Sequence, residues 1–244
     1  MDDTYNFSLH PHFIYQTVRV GRDNIPVLVI DNFLASPEFL VSLCVQDNKL
    51  DEADTYYPGK RMMAPKQYTY AIYRYLGELI ERCFGLPRDA WAGAQSLYSI
   101  VATPPEKMGA QQSLPHIDTI KRTDLACVHY LCGAEHGGTS LYRHRGTGFE
   151  IIDGARQAIY SERARAEGLL EKSPRTYMNG SDQWFEQIMS VDARFNRLVI
   201  YPGNVLHSGN IGPDFRFDPD PASGRLTLNS FIFGKRDWVQ QPAG

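Results

Sequence analysis

Apolar and polar positions divide the chain into two unlike halves. In the first, Phe13–Val20 and Ile25–Ile30 are extended runs separated by Gly21-Arg22-Asp23-Asn24, which predicts a hairpin. Ser36 then offers an N-cap and Pro37 a first helical residue, so a helix is expected to start there and fade near Asp47. From Asp47 to Ala64 the pattern reads as loop, with an acidic cluster (Asp51, Glu52, Asp54) ahead of the aromatic pair Tyr56 and Tyr57. A second helix is predicted over Lys66–Phe84, because Tyr68, Ile72, Leu76, Leu79 and Cys83 recur at steps of three and four. Gly85 stops it and Pro87 follows.

The second half is built of short strands punctuated by turns. Extended runs are expected at Gln95–Val101, around His116 and Asp118, at Leu125–Leu131, Thr139–Arg143, Asn196–Tyr201, Val205–Ser208 and from Arg225 to Phe233. Ala155–Leu170 has helical composition and Asp182–Met189 reads as a second short helix, which makes residues 153–195 an insertion between core strands. Helices clustered before and within a strand-rich core do not give the regular alternation of a doubly wound sheet. The expected fold is mainly β with flanking helices, a jelly-roll-like pair of sheets, formed by the whole chain 1–244 as one domain. In this division residues 1–93 supply the hairpin and helices, and residues 94–234 the core.

The candidate chemistry sits on two of these strands. Residues two apart on a strand share a face, so His116 and Asp118 present an imidazole beside a carboxylate. His207, on a different strand, is the candidate third ligand. Two His and one carboxylate with open positions is the arrangement of non-haem Fe(II) oxygenases. Alone, an H-x-D triplet is weak; the order of the later segments strengthens it.

Those segments are Leu114–Asp118, His136–Tyr142, Tyr201–Ser208 and Arg225–Thr227. Together they resemble the Fe(II)- and 2-oxoglutarate-dependent oxygenases, especially the prolyl-hydroxylase-like branch, across residues 94–234. Val29–Phe39 is similar to the strand-then-helix entry of that branch. The resemblance implies a double-stranded β-helix, with iron on His116, Asp118 and His207, and an arginine pairing with the distal carboxylate of 2-oxoglutarate. Arg225 fits that role, since its planar fork matches a carboxylate. Thr227 lies on the same face two residues on, and His129 and Tyr98 are the further candidates near the co-substrate. The stretch from Gly209 to Ser223 is longer than the family pattern, which leaves Arg216 as a competitor. The implied reaction uses dioxygen, converts 2-oxoglutarate to succinate and CO2, and oxidises a C–H bond of an amino acid, a peptide or a related small molecule, with ascorbate as a reductant. A metal-binding cupin-like isomerase or ligand-binding protein is the alternative, and an unmetallated barrel acting as an interaction module is a third.

Composition narrows the classes further. The 25 Lys and Arg against 28 Asp and Glu leave a net charge of −3, which gives no basic surface for nucleic acid. No apolar run is long enough to span a membrane. The opening residues lack the basic and apolar regions of a signal peptide. Cys44, Cys83, Cys127 and Cys132 form no C-x-x-C pair, so buried free thiols in a reducing cytoplasm are expected. His10 and His12 lack a third ligand and read as solvated, and oligomeric state has no signature in the sequence.

Overall fold

The computed structural model describes residues 7–47, 49–52 and 57–235; Asp54 and Tyr56 lie outside them. The expected hairpin is β1 (Ile14–Val20) and β2 (Ile25–Asp31), paired antiparallel from Ile14↔Asp31 to Val20↔Ile25. Helix α1 (Pro37–Asp47) and helix α2 (Lys66–Phe84) follow, the latter closed by Gly85 in the left-handed conformation that a Cβ would disfavour. The buried face of α2 carries Tyr68, Ala71, Ile72, Leu76, Ile80, Cys83 and Phe84. It packs with α1 onto one side of the large sheet, over Leu28, Ile30, Tyr98, Cys127, Leu198 and Leu228.

Between the helices the structure differs from the loop expected from sequence. Two strands lie there, β3 (Asp51–Glu52) and β4 (Gly59–Met63), and β4 pairs with the next strand, β5 (Trp91–Val101). Lys60, Arg61 and Met62 lack the apolar alternation that marks a strand, because β4 continues a sheet whose opposite face is a polar cavity. Gly59 is required at its start: a Cβ there would lie 2.0 Å from the carbonyl oxygen of Ile100.

The remaining strands are β6 (Leu125–Tyr130), β7 (Gly138–His144), β8 (Phe185–Asp192), β9 (Arg197–Pro202), β10 (His207–Asn210) and β11 (Leu226–Gly234). The large sheet runs β1-β2-β9-β6-β11-β5-β4-β3 and the small one β10-β7-β8. His116 bridges His207 of β10 and so extends the small sheet. The chain therefore leaves β5 in the large sheet, crosses at His116, returns in β6, crosses to β7 and β8, returns in β9, crosses in β10 and ends in β11. That path makes a double-stranded β-helix with helices outside. Its inner faces meet through Ile25, Val27, Ala126 and Tyr130 from the large sheet and Leu141 and Val191 from the small one.

One expected element is corrected. Residues 182–189 are not a helix: Phe185 onward forms β8, a core strand of the small sheet paired with β7. Trp184, Phe185, Ile188 and Met189 recur at helical steps, but pairing along β7 decides the outcome. The insertion is shorter than 153–195, since the core resumes at Phe185, and its helix is α3 (Gln157–Glu167). All four cysteines are buried and free. Among the described residues no helix is long and apolar enough to cross a membrane.

Candidate metal centre

His116 and His207 are held together by backbone before any ligand is considered. Each donates its N–H to the carbonyl of the other, both at 2.9 Å, and the two rings lie 4.4 Å apart. Asp118 is fixed by its own N–H donating to the Gly203 carbonyl at 2.8 Å, in the turn that leads to His207. The 116–118 segment is thus not a long regular strand; a single bridge and this turn contact place both side chains.

The donor atoms converge. One ligand atom from each of His116, Asp118 and His207 lies within 4.8 Å of the others, the sole such group of His, Cys, Asp and Glu among the described residues. Nε2 of His207 is 3.5 Å from Asp118 Oδ2, and Nε2 of His116 is 3.9 Å from Asp118 Oδ1. Cis ligands about 2.1 Å from a hard cation lie about 3 Å apart, so the two His–Asp distances need a contraction of less than about 1 Å to hold one. The Nδ1–H of His207 donates to the Val205 carbonyl at 2.9 Å, which leaves Nε2 as the lone-pair nitrogen facing Asp118. Desolvation at the cleft, then the neighbouring His207, lowers the pKa of His116 against the pull of Asp118, although half of its side chain is exposed. A neutral imidazole is the form that binds a metal. The donor set fits a divalent transition metal with open positions.

Those positions open into a cavity of about 250 Å³ between the two sheets. Arg225, just before β11, and Asn229 and Phe231 within it line the inner wall, and Thr227 shares their face of the strand. Arg225 is 4% exposed, donates from Nε to the His136 carbonyl at 3.0 Å and from Nη2 to the Gly138 carbonyl at 2.7 Å. No acidic side chain pairs with it among the described residues, and Nη1 has no partner there. A buried guanidinium without a counter-anion is costly unless a ligand supplies one. Arg216, the competitor, is exposed in the loop before β11 and away from the cavity. Thr227 is buried beside Arg225 and donates to Asn229 Oδ1 at 3.0 Å.

His129 and Tyr98 are not brought to this cavity. His129 is fully buried on the opposite face of β6, stacked on Tyr68, with Nδ1 3.2 Å from the Tyr68 hydroxyl and Nε2 3.1 Å from Asn196 Oδ1. Tyr98 also points to the helices and donates to the Leu40 carbonyl at 2.8 Å. In place of their expected co-substrate roles, both fasten helices and loops to the back of the sheet. The inward aromatic on β6 is the next residue, Tyr130, whose ring lies 5.8 Å from the Arg225 guanidinium and whose hydroxyl donates to Thr139 at 2.6 Å. Burial raises Tyr130 to about 12 against the opposing effect of Arg225, so the phenol remains a donor.

Two further lining residues have no counterpart among those expected from sequence. Tyr57 is half-buried with its hydroxyl enclosed near Thr227, and Arg61 of β4 stacks over the Tyr57 ring at 4.2 Å. Burial lowers the pKa of Arg61, against the opposing charge of Tyr57 and Asp118.

Solved structures with a similar fold include the non-haem α-ketoglutarate-dependent carbocyclase SnoK of nogalamycin biosynthesis, at 13% identity and a TM-score of 0.45, covering 85% of this chain and 79% of that one. Others are a Pseudomonas putida prolyl-4-hydroxylase (11%, TM-score 0.41, covering 91% and 92%) and an N-substituted L-amino acid dioxygenase of Burkholderia ambifaria (11%, TM-score 0.39, covering 92% and 96%). At such scores these likenesses carry none of the functional reading, which rests on the site itself. No curated protein matches the sequence. One family model does, over residues 11–232, a span that reaches from β1 into β11 and includes all three candidate ligands. The chain belongs to that family, DUF6445, a family of unknown function.

Proposed function

We propose that the protein is an Fe(II)- and 2-oxoglutarate-dependent dioxygenase that hydroxylates an amino-acid or peptide side chain or a related small molecule. The observation that carries this reading is the sharing of one cavity by a His-Asp-His donor cluster and a buried arginine that has no acidic partner. A cupin-like isomerase needs the first feature and not the second.

His116, Asp118 and His207 would hold the metal, with the His207 tautomer fixed by the Val205 carbonyl. Ferrous iron supplies, when bound, the redox chemistry that divides dioxygen between the oxoacid, which leaves as succinate and CO2, and a C–H bond of the substrate. Arg225 pairs with the distal carboxylate of 2-oxoglutarate, its fork already aligned by the His136 and Gly138 carbonyls. Thr227 and the Tyr57 hydroxyl beside it offer hydrogen bonds along the same wall. Tyr130 stacks near the guanidinium and restricts its rotation. Val128, Phe231 and Ile211 exclude water from the reacting centre. No side chain is asked to act as a general base.

The test is incubation of purified protein with Fe(II), ascorbate and 2-oxoglutarate, followed by assay of succinate. Uncoupled turnover is expected in the wild type and absent in Asp118→Ala. Succinate formation by that variant at the wild-type rate would move the chemistry elsewhere.

A further inference from the structure

Arg61 is a cation that the oxygenase reading leaves without a task. It lies on β4, directly across β5 from Thr227: Arg61 pairs with Ser99, and Ser99 with Thr227. Its inward face therefore belongs to the same wall as Arg225, two strands away, at about 5 Å per strand. Both line the cavity. Nε of Arg61 is buried without a hydrogen-bond partner, and the side chain has no ion pair among the described residues. Ser99 Oγ, beside it on the sheet, is likewise buried and unsatisfied. An orphaned guanidinium nitrogen on a residue that lines the cavity, with an orphaned hydroxyl next to it on the same sheet face, marks a place that a polar ligand completes.

The charge balance identifies that ligand. The ionised side chains lining the cavity are Arg61, Asp118 and Arg225. A divalent metal, Asp118, the two carboxylates of 2-oxoglutarate and Arg225 sum to zero. Arg61 then leaves one positive charge uncompensated in a partly enclosed recess. Its position adds to this: Arg61 lines the same cavity as His116 and Asp118, on the wall that also carries Arg225. The ring of Tyr57 beneath it holds the guanidinium plane in one orientation, which suits a planar carboxylate met edge-on.

We propose that Arg61 binds a carboxylate of the molecule being oxidised, which makes the substrate an organic acid presented by its carboxylate. This rests on the oxygenase reading for the identity of the second ligand. The carboxylate site itself does not depend on turnover.

The experiment uses full-length protein loaded with Mn(II), which binds without turning over, and calorimetry with two sets of probes. The first probe is 2-oxoglutarate, titrated into the wild type, Arg61→Gln and Arg225→Gln. The second is a panel of N-acetyl-L-amino acids, each as free acid and as carboxamide, titrated with and without 2-oxoglutarate. In the wild type at least one free acid is expected to bind about tenfold or more tightly than its amide, and Arg61→Gln is expected to abolish that preference. Arg61→Lys should keep part of it. Affinity of Arg61→Gln for 2-oxoglutarate should stay within about threefold of the wild type, and its melting temperature should change little, because the lost contact with the Tyr57 ring is offset by removal of a cation that has no ion pair among the described residues. A tenfold weakening of 2-oxoglutarate binding in Arg61→Gln would assign the residue to the co-substrate and overturn the proposal. So would the absence of any acid-over-amide preference in the wild type. Failure of the oxygenase reading has a different signature, no 2-oxoglutarate binding by the wild type, and leaves the acid-against-amide comparison readable on the Mn(II) protein alone.

Discussion

Replacing Arg225 by Met separates the co-substrate anchor from the metal centre. The guanidinium is 4% exposed and spends two nitrogens on the His136 and Gly138 carbonyls, so an oxoacid carboxylate reaching it forms a desolvated, charge-assisted pair. Removing one partner of such a pair costs about 2 to 5 kcal/mol of binding, which raises the dissociation constant about 30-fold at the lower bound. In a thermal-shift assay at a 2-oxoglutarate concentration about 100 times the wild-type constant, the ligand stabilises the wild type by about 2.7 kcal/mol. At the same concentration the variant would gain about 0.9 kcal/mol, so the ligand-induced rise in melting temperature should fall about threefold. Without ligand the two proteins should melt at similar temperatures. The variant leaves two carbonyls unpartnered, at about 1 kcal/mol each, but also removes a buried charge that lacks a counter-ion. Mn(II) affinity should be unchanged, because no atom of Arg225 belongs to the donor cluster. An undiminished 2-oxoglutarate shift in Arg225→Met would refute the anchoring role.

Three other outcomes follow from the geometry. His116→Ala and His207→Ala should each weaken Mn(II) binding at least about 100-fold by calorimetry, since two ligands remain of three. Gly59→Ala drives a Cβ to 2.0 Å from the Ile100 carbonyl oxygen and should destabilise the fold by about 1 to 3 kcal/mol in urea, displacing Arg61 with its strand. His129 is lowered to about 4, chiefly by burial, from an unfolded value near 6.5, so between these values the unfolded chain holds a proton that the folded one does not. Stability should therefore fall as pH drops from about 6.5 towards 4, by up to about 3 kcal/mol from this residue, and the loss should be smaller in His129→Gln.

The His116, Asp118 and His207 cluster was legible because it is carried by local patterns: a triplet at strand spacing, and a histidine just after a Pro-Gly-Asn turn. Placing a strand does not fix which of its faces points inward, and His129 and Tyr130 show the consequence. Every residue of Leu125–Tyr130 is apolar or aromatic except His129, so period-two alternation is absent, and a one-residue shift exchanges the two faces. The inward parity follows only from contacts made elsewhere, Tyr130 with Thr139 and His129 with Tyr68 and Asn196. Tyr98 was hidden for the same reason. Arg61 escaped notice because Gly59–Met63 is a strand by virtue of its neighbour β5, and no propensity in five residues could announce it. In β8, helix-forming residues at helical spacing gave way to the edge offered by β7. Arg225 could be preferred over Arg216 because a strand pattern starts immediately after it, and the structure places Arg225 at the cavity and Arg216 outside it.

Strand β11 lies between β5 and β6, pairing with both along most of its length. During synthesis the ribosome therefore delivers the middle of the large sheet last. Until residues 225–234 emerge, β5 and β6 have no shared partner, and the cavity beside His116, Asp118 and His207 lacks the wall that carries Arg225, Asn229 and Phe231. The nascent polypeptide carries the His116–Asp118 pair for a long interval without the surroundings that would let it retain a cation firmly. On the proposed reading, closure of the cavity around the three candidate ligands is thereby coupled to strand β11, and a chain arrested before residue 226 should retain a divalent cation less firmly than the full chain, although His116, Asp118 and His207 have all been translated.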